Sequence, residues 1–296
     1  MRVLFVQKMA GIAGSETYFL ELLPQLRRFG VDPTFLVVET PADRARNDVF
    51  VAELAGSDIR CERMVCSGWG SPMLLARIHR FLKRERFDLV QSNLIHADLW
   101  LALVKTIFQR RLKLVSTKHG YSDAYQAAHG FDPRFVGHDR MALATRFAAR
   151  KADRVVTISQ GLADLLAGAG LVDRAKISVI HYGFAFGRTI SELPAGAPRH
   201  GDPQLVIVGR LVKVKQHALL IGALPSLCRR FPGLKLVIVG TGPEEGALRA
   251  LAEELGVADH LHWTGFVRNT HDYLRDSDVL VFPSRAEGFG LATLEA

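Results

Sequence analysis

Two glutamates near the end of the chain, Glu287 and Glu295, are separated by seven residues. Between them lies Gly288-Phe289-Gly290-Leu291, a glycine-bracketed turn that opens a helix near Gly290. Unpaired N–H groups at a helix N-terminus suit phosphate or sugar oxygens. A carboxylate at each end can accept hydrogen bonds from vicinal hydroxyls. Taken alone, the spacing fits two solvated surface glutamates equally well. Upstream, Gly209-Arg210-Leu211-Val212-Lys213-Val214-Lys215-Gln216 follows an apolar, strand-like run. Arg210 offers a planar fork and Lys215 a compact charge, together enough to neutralise a diphosphate. A basic loop is otherwise a solvated surface.

Two glycine turns accompany them. Ala10-Gly11-Ile12-Ala13-Gly14-Ser15-Glu16 follows the first strand-like run and opens a helix, a setting in which backbone approaches a ligand closely. Only Gly11 and Gly14 are present, so the three-glycine dinucleotide fingerprint is broken. Glu39 is a weak candidate for the acidic residue that would hold a ribose. Val239-Gly240-Thr241-Gly242-Pro243-Glu244 is a second turn at a strand end, with Pro at the helix entry. It reads as turn chemistry or as ligand contact at Gly242.

Positioning such residues requires strand ends. Apolar runs at 2–7, 33–39, 88–92, 112–117, 154–158 and 177–180 alternate with helix-length periodic segments, among them 15–29, with a kink expected at Pro24, and 74–86. The alternation predicts a parallel sheet covered on both faces. The pattern breaks at a Gly/Pro-rich stretch and resumes with strands at 204–208, 235–239, 260–263 and 278–282, and helices at 216–230, 243–255 and 272–275. The expected organisation is an α/β N-terminal domain over 1–184, a linker over 185–203, and a second α/β domain over 204–296. The helix opening near Gly290 has no stop signal before Ala296, so the second domain is expected to be incomplete.

The 296 residues carry a net charge of +8, with 48% hydrophobic and 23% charged residues, which suits a buried core and excludes disorder. A basic balance favours anionic partners without choosing among them. Its charges are dispersed and lack an aromatic stacking motif, so nucleic acid is not an expected partner. Cys61, Cys66 and Cys228 form no metal pattern and read as reduced thiols. With no signal peptide and no long apolar run, a cytoplasmic location is expected. The eleven histidines form no ligand pair. Asp276-Ser277-Asp278 opens a strand, away from any carboxyl-edge crevice, and reads as a turn. No metal site is expected.

Taken together, these motifs resemble family 4 of the retaining glycosyltransferases, with the GT-B fold. Glu287-Gly288-Phe289-Gly290 with Glu295 is similar to the family signature. Val208-Gly209-Arg210-Leu211 with Lys215 is similar to its diphosphate-binding strand end, and 239–243 and Thr264-Gly265-Phe266-Val267 to its nucleotide-side loops. In the first domain the glycine loop with Gly11 and Gly14, Thr117-Lys118-His119-Gly120 and residues 152–159 also match. Tyr182-Gly183-Phe184-Ala185 departs from the family's Asn-Gly-Val-Asp, which affects a detail of the hinge.

The resemblance implies two Rossmann-like domains facing across a cleft, the C-terminal one truncated. It also implies transfer of a sugar from a UDP- or GDP-linked donor with retention, with neither a metal nor another cofactor. Arg210, Lys215 and the backbone of Gly288, Phe289, Gly290 and Leu291 would stabilise the leaving diphosphate, about 3 kcal/mol per donor. Glu295 would hold the ribose and Glu287 the donor sugar; Gly14, Gly242 and Val267 would line the donor site. His119 would stand near sugar and acceptor; from the residues alone it is a cap or core histidine.

The implied acceptor is a glycan, a lipid-linked glycan or a lipid. Arg77, Arg80, Lys83, Arg84 and Arg86 surround Leu75, Ile78, Phe81 and Leu82 on helix 74–86. This is a solvated flank or a basic face for peripheral contact with an anionic membrane. Two other readings stay open: a nucleotide-sugar-binding protein without turnover, and a nucleotide-sugar epimerase.

Overall fold

The computed structural model describes residues 1–12, 14–66, 71–137, 139–183, 197–267 and 269–296. They form two compact units. The first comprises Met1–His119 and Phe131–Gly183. The second gathers Gly120–Gly130 with the described residues of 184–296. The expected boundary near 184 is therefore incomplete as an account of the chain. Residues 120–130, read as part of the N-terminal domain, belong to the second unit. Of the expected linker, 185–196 lies outside the described residues.

The chain runs β1 (Arg2–Lys8), α1 (Gly14–Arg28), β2 (Asp32–Glu39), α2 (Arg44–Gly56), β3 (Arg60–Val65), α3 (Pro72–Glu85), β4 (Leu89–Asn93), α4 (Leu94–Ile107), β5 (Leu114–Lys118), α5 (Asp123–His129), α6 (Arg140–Lys151), β6 (Arg154–Thr157), α7 (Gln160–Gly168) and β7 (Ile177–Val179). In the first unit all seven strands are parallel, in the order β3-β2-β1-β4-β5-β6-β7. Helices on both faces explain why β1 and β2 are near-continuous apolar runs. The core of one face is Val3, Phe5, Phe19, Leu23, Phe35, Phe50 and Leu54. Helix α1 runs unbroken through Pro24. Several helix starts are set by side chains: Ser71, Asp139 and Ser159 accept the N–H of the third residue onward at α3, α6 and α7.

The second unit has β8 (Gln204–Val208), α8 (His217–Arg230), β9 (Lys235–Val239), α9 (Glu245–Glu254), β10 (Leu261–Gly265), α10 (His271–Arg275), β11 (Val279–Leu280) and α11 (Leu291–Glu295). Its parallel sheet has the order β10-β9-β8-β11. Leu220, Ile221 and Leu224 of α8 pack with Leu236, Ile238 and Leu248. Val206, Val208, Val237 and Val239 face the other side. The strand expected over 278–282 is the two-residue β11.

Candidate functional site

In each sheet the strand order reverses once, between β1 and β4 and between β8 and β11. At such a switch point the following helices leave on opposite faces, opening a crevice beyond the carboxyl ends of the strands. The predicted chemistry-bearing residues sit at these two edges.

In the second unit the segment after β8 carries Gly209, Arg210 and Lys215, and the segment after β11 carries Glu287. The two meet: Lys215 Nζ donates to Glu287 Oε1 and lies 5.1 Å from the centre of the Phe282 ring. The contact is supported by the backbone, where Arg285 N–H donates to Val214 O at 2.9 Å. Lys215 stands at the end of a 3-10 turn, Lys213–Lys215, with Gln216 left-handed at φ 54° before α8 begins. Arg210 donates to Asp123 Oδ2 of α5 at 2.8 Å, across a pair exposed on both sides. Sequence reading assigned that guanidinium to a diphosphate and named no protein partner for it. Its partner lies 87 residues away, on a segment assigned to the other domain.

The glycine turn after β9 is fastened to the one after β8. Gly209 N–H donates to Val239 O, Leu211 N–H to Thr241 O, and Glu244 N–H to Leu211 O, at 2.9–3.1 Å. A Cβ at Gly240 (φ +140°) would collide with Gly209 O, and one at Gly242 with Leu211 O. These two glycines are therefore required by backbone packing, and Gly242 presents peptide rather than side chain. Glu295 accepts from Thr270 Oγ1 at 3.0 Å. Gly290 precedes α11 in the left-handed region (φ +79°), and Leu291 begins the helix. Gly288 and Phe289 lie in the turn before it. Val267 packs on the valine core of the sheet, beside Tyr273 and Ala292. Asp278 accepts from Gln204 N–H at 2.7 Å and pairs with Arg199, at the amino end of the sheet. Among the described residues no group of three His, Cys, Asp or Glu could hold a metal ion.

In the first unit His119 follows β5. Its Nδ1 meets Tyr182 Oη, and its Nε2 lies 3.4 Å from Asn93 Oδ1. Asn93 donates its own amide to Val6 O. Its Oδ1 therefore accepts from Nε2–H, and Nδ1 accepts from the tyrosine. Burial pushes the imidazole down to about 4, with Lys118 adding to the effect and Asp98 opposing it. His119 is thus neutral at pH 7, and both nitrogens are engaged within its own unit. Tyr182 stacks on Tyr18 at 4.1 Å. Behind it Asp98 accepts from Lys118 Nζ and from Ser92 and Ser116 hydroxyls. Sequence reading missed this buried cluster, because no single motif contains it.

The glycine loop after β1 is held from behind. Gly11 N–H donates to Asn47 Oδ1 at 2.8 Å, and Asn47 donates to Glu39 Oε2 at 2.9 Å. Glu39, proposed as a ribose ligand, is 0% exposed in its side chain and clamped by the Arg63 fork. It is a structural carboxylate. Gly14 opens α1, where Gln7 donates to Glu16 and Ser15.

A family model described as Glycosyltransferase Family 4 matches residues 12–186, and one described as Glycosyl transferases group 1 matches residues 191–296. A 2-deoxystreptamine N-acetyl-D-glucosaminyltransferase of Streptomyces fradiae is 28% identical over 96% of this chain and 72% of its own. A GDP-mannose-dependent alpha-(1-6)-phosphatidylinositol monomannoside mannosyltransferase of Mycobacterium tuberculosis is 44% identical over 93 residues, 30% of this chain. The glycogen synthase of that organism is 35% identical over 77% of this chain. The chain spans 24% of the mannosyltransferase and 56% of the synthase. Among solved structures, Anabaena HepE in complex with UDP and glucose superposes with a TM-score of 0.77 at 21% identity, over 100% of this chain and 78% of its own. The likeness gives the fold, that of the GT-B enzymes.

Proposed function

Because this chain belongs to Glycosyltransferase Family 4, we propose that it transfers a sugar from a UDP- or GDP-linked donor to an acceptor, with retention of configuration. The observation that carries the reading is the Lys215–Glu287 pair at the switch point of the second sheet. Cleavage of the donor places negative charge on the departing diphosphate. Lys215 is held where that charge develops, and fixed donors of this kind contribute about 3 kcal/mol each. Glu287 orients Lys215 and is the group for a donor-sugar hydroxyl. Arg210 reaches the diphosphate by giving up Asp123. An exposed ion pair is worth only about 0–1 kcal/mol, so a phosphate competes for it readily. The backbone of Gly288, Phe289, Gly290 and Leu291 lies on the same edge, and Glu295 is the ribose ligand. In this reading cationic side chains meet the charge without a metal ion or organic cofactor. His119, neutral and doubly hydrogen-bonded, holds Tyr182 and Asn93 in place on the acceptor side.

HepE was solved with UDP and glucose, and the mannosyltransferase is named for GDP-mannose. Both support a nucleotide-sugar donor. A lipid-linked or lipid acceptor is favoured by Arg77, Arg80 and Lys83 on α3, a face for peripheral contact with anionic lipid. No helix among the described residues is long and apolar enough to cross a membrane.

Calorimetric titration of UDP, GDP and their sugar conjugates into wild type and Glu295→Ala tests the reading. One nucleotide should bind and weaken by about 1–3 kcal/mol in the variant, as for a lost hydrogen bond to a charged group. Turnover without acceptor would assign an epimerase, and binding without turnover on any acceptor a non-catalytic protein. Silence towards all nucleotides, here and in a C-terminally extended chain, would end the proposal.

A further inference from the structure

At the amino edge of the first sheet, the edge opposite His119, α6 and α7 both end beside the start of β7. Together they border a cavity of about 510 Å³, within the range of about 300–1,000 Å³ usual for small-molecule sites. Four cations line it, Arg146, Arg150, Arg174 and Lys176, against one carboxylate, Asp173. Arg146 and Arg150 stand one turn apart on α6. Arg174 and Lys176 belong to a 3-10 turn, Arg174–Lys176, that leads into β7.

Helix carboxyl ends carry unpaired carbonyls, and cations collect there for that reason alone. Lys176 is accounted for in this way. Its Nζ donates to the carbonyls of Ala149, Arg150 and Ala152 at 2.9–3.3 Å, which uses all of its N–H groups. Arg146 is accounted for in part. It donates to Ala169 O at 3.2 Å and to Gly170 O at 3.3 Å, and the rest of its fork remains available. The other two cations are surplus. Arg150 is exposed, and its guanidinium makes no hydrogen bond or ion pair among the described residues. The Arg174 side chain holds Asp164 in a pair exposed on both sides, which an anion displaces readily. Arginine forks set together in this way suit a phosphate.

The remaining lining narrows the ligand. None of it is aromatic, so a nucleobase has no ring to stack on. Ala149, Ala167 and Leu171 give a small apolar wall. Asp173 Oδ1 accepts from Ala175 N–H at 3.0 Å, which leaves its second oxygen for a hydroxyl. A bare phosphate would fill little of the volume and would meet Asp173 as a like charge. We infer that this cavity binds a sugar phosphate, with the phosphoryl group on Arg146, Arg150 and Arg174, the sugar against the apolar wall and a hydroxyl on Asp173. The site lies in the first unit and the Lys215–Glu287 edge in the second, so the inference does not rest on the donor reading.

The test titrates glucose 1-phosphate, glucose 6-phosphate, mannose 6-phosphate, glucose and inorganic phosphate into wild type, Arg150→Ala, Arg174→Ala and Lys215→Ala. At least one hexose phosphate should bind wild type, at a site that survives in Lys215→Ala and shifts the amide signals of residues 169–176. Each arginine variant should bind it about tenfold to a hundredfold more weakly, as for a lost hydrogen bond to a charged group. Both arginines are exposed, so melting without ligand should not change in either variant. Glucose should not bind, and inorganic phosphate should bind about tenfold more weakly than the hexose phosphate, or worse. Failure of every hexose phosphate to bind would overturn the site. Unchanged affinity in both arginine variants, or a loss confined to Lys215→Ala, would also overturn it, by placing the ligand elsewhere. Inorganic phosphate binding as tightly as the hexose phosphate would overturn the sugar phosphate as its ligand.

Discussion

Lys215 and Glu287, 72 residues apart in the chain, form an ion pair at the point where the second sheet changes direction. Neither side chain is fully buried, and each lies on a segment anchored by backbone hydrogen bonds. The pair therefore has a fixed position and a modest desolvation cost, which suits a charge that must be available to a ligand.

Lys215→Ala should lower kcat by about a hundredfold to a thousandfold, the range seen when one preorganised donor is removed from a developing anion. Lys215→Ala and Glu287→Gln combined should lose less than the sum of the two single losses, because contacting residues couple by about 0.5–3 kcal/mol. A double-mutant cycle in kcat/KM checks this. Strict additivity would show that the pair does not act as a unit.

Two glycines should respond to the same substitution with opposite signs. At Gly240 the backbone is left-handed, and a methyl group would overlap Gly209 O. Gly240→Ala should cost about 3 kcal/mol or more, through strain and overpacking. Gly222 lies exposed inside α8 with nothing within 4 Å of an added Cβ. Gly222→Ala should stabilise by about 0.5–1 kcal/mol. Urea unfolding of both variants measures the difference, and a stabilising Gly240→Ala would contradict the interlocked turns.

The runs that became β1, β2, β8 and β9 were legible because parallel strands buried on both faces must be apolar throughout. Strand β3 was not: Arg60-Cys61-Glu62-Arg63-Met64-Val65 borders the sheet, and its charges pair with Glu85, Glu39 and Asp48. Glu287 was legible from its spacing to Glu295. Its partner was legible only as a basic residue, since an ion pair between two strand ends is a property of the sheet order. Glu39 misled for the same reason. Its place at a strand end fits a ribose ligand, and only the packed Arg63 shows that it is already used.

The pH dependence of stability should carry the mark of His217. It opens α8 at 3% exposure, with neither ring nitrogen hydrogen-bonded, and burial, aided by the charge of Lys215, pushes its pKa down to about 4. An unfolded histidine titrates near 6.5. Above that value both states are neutral there. As the pH falls from about 6.5 to about 4 the unfolded chain takes up the proton first, so stability drops across that window. His119 acts in the same direction over the same range. His217→Leu should flatten the decline, and it should not destabilise at pH 7.5, since it removes an unsatisfied buried polar group. Unfolding free energies at pH 7.5, 6, 5 and 4.5 for wild type and variant check both parts; parallel curves would rule out the histidine.

The residues of α5 are made early and packed late. The ribosome releases Asp123 87 residues before Arg210, and the 3-10 turn against which α5 packs follows it at Lys213–Lys215. Through that interval the docking surface of α5 does not yet exist, and its seven residues are too few to hold a helix by themselves. The first sheet can form without it, because Met1–His119 and Phe131–Gly183 make up a unit that excludes it. A fragment cut in the linker would leave the same helix stranded on the first half and the second half without its cover. The two units are therefore distinct in packing but not separable by a single cut.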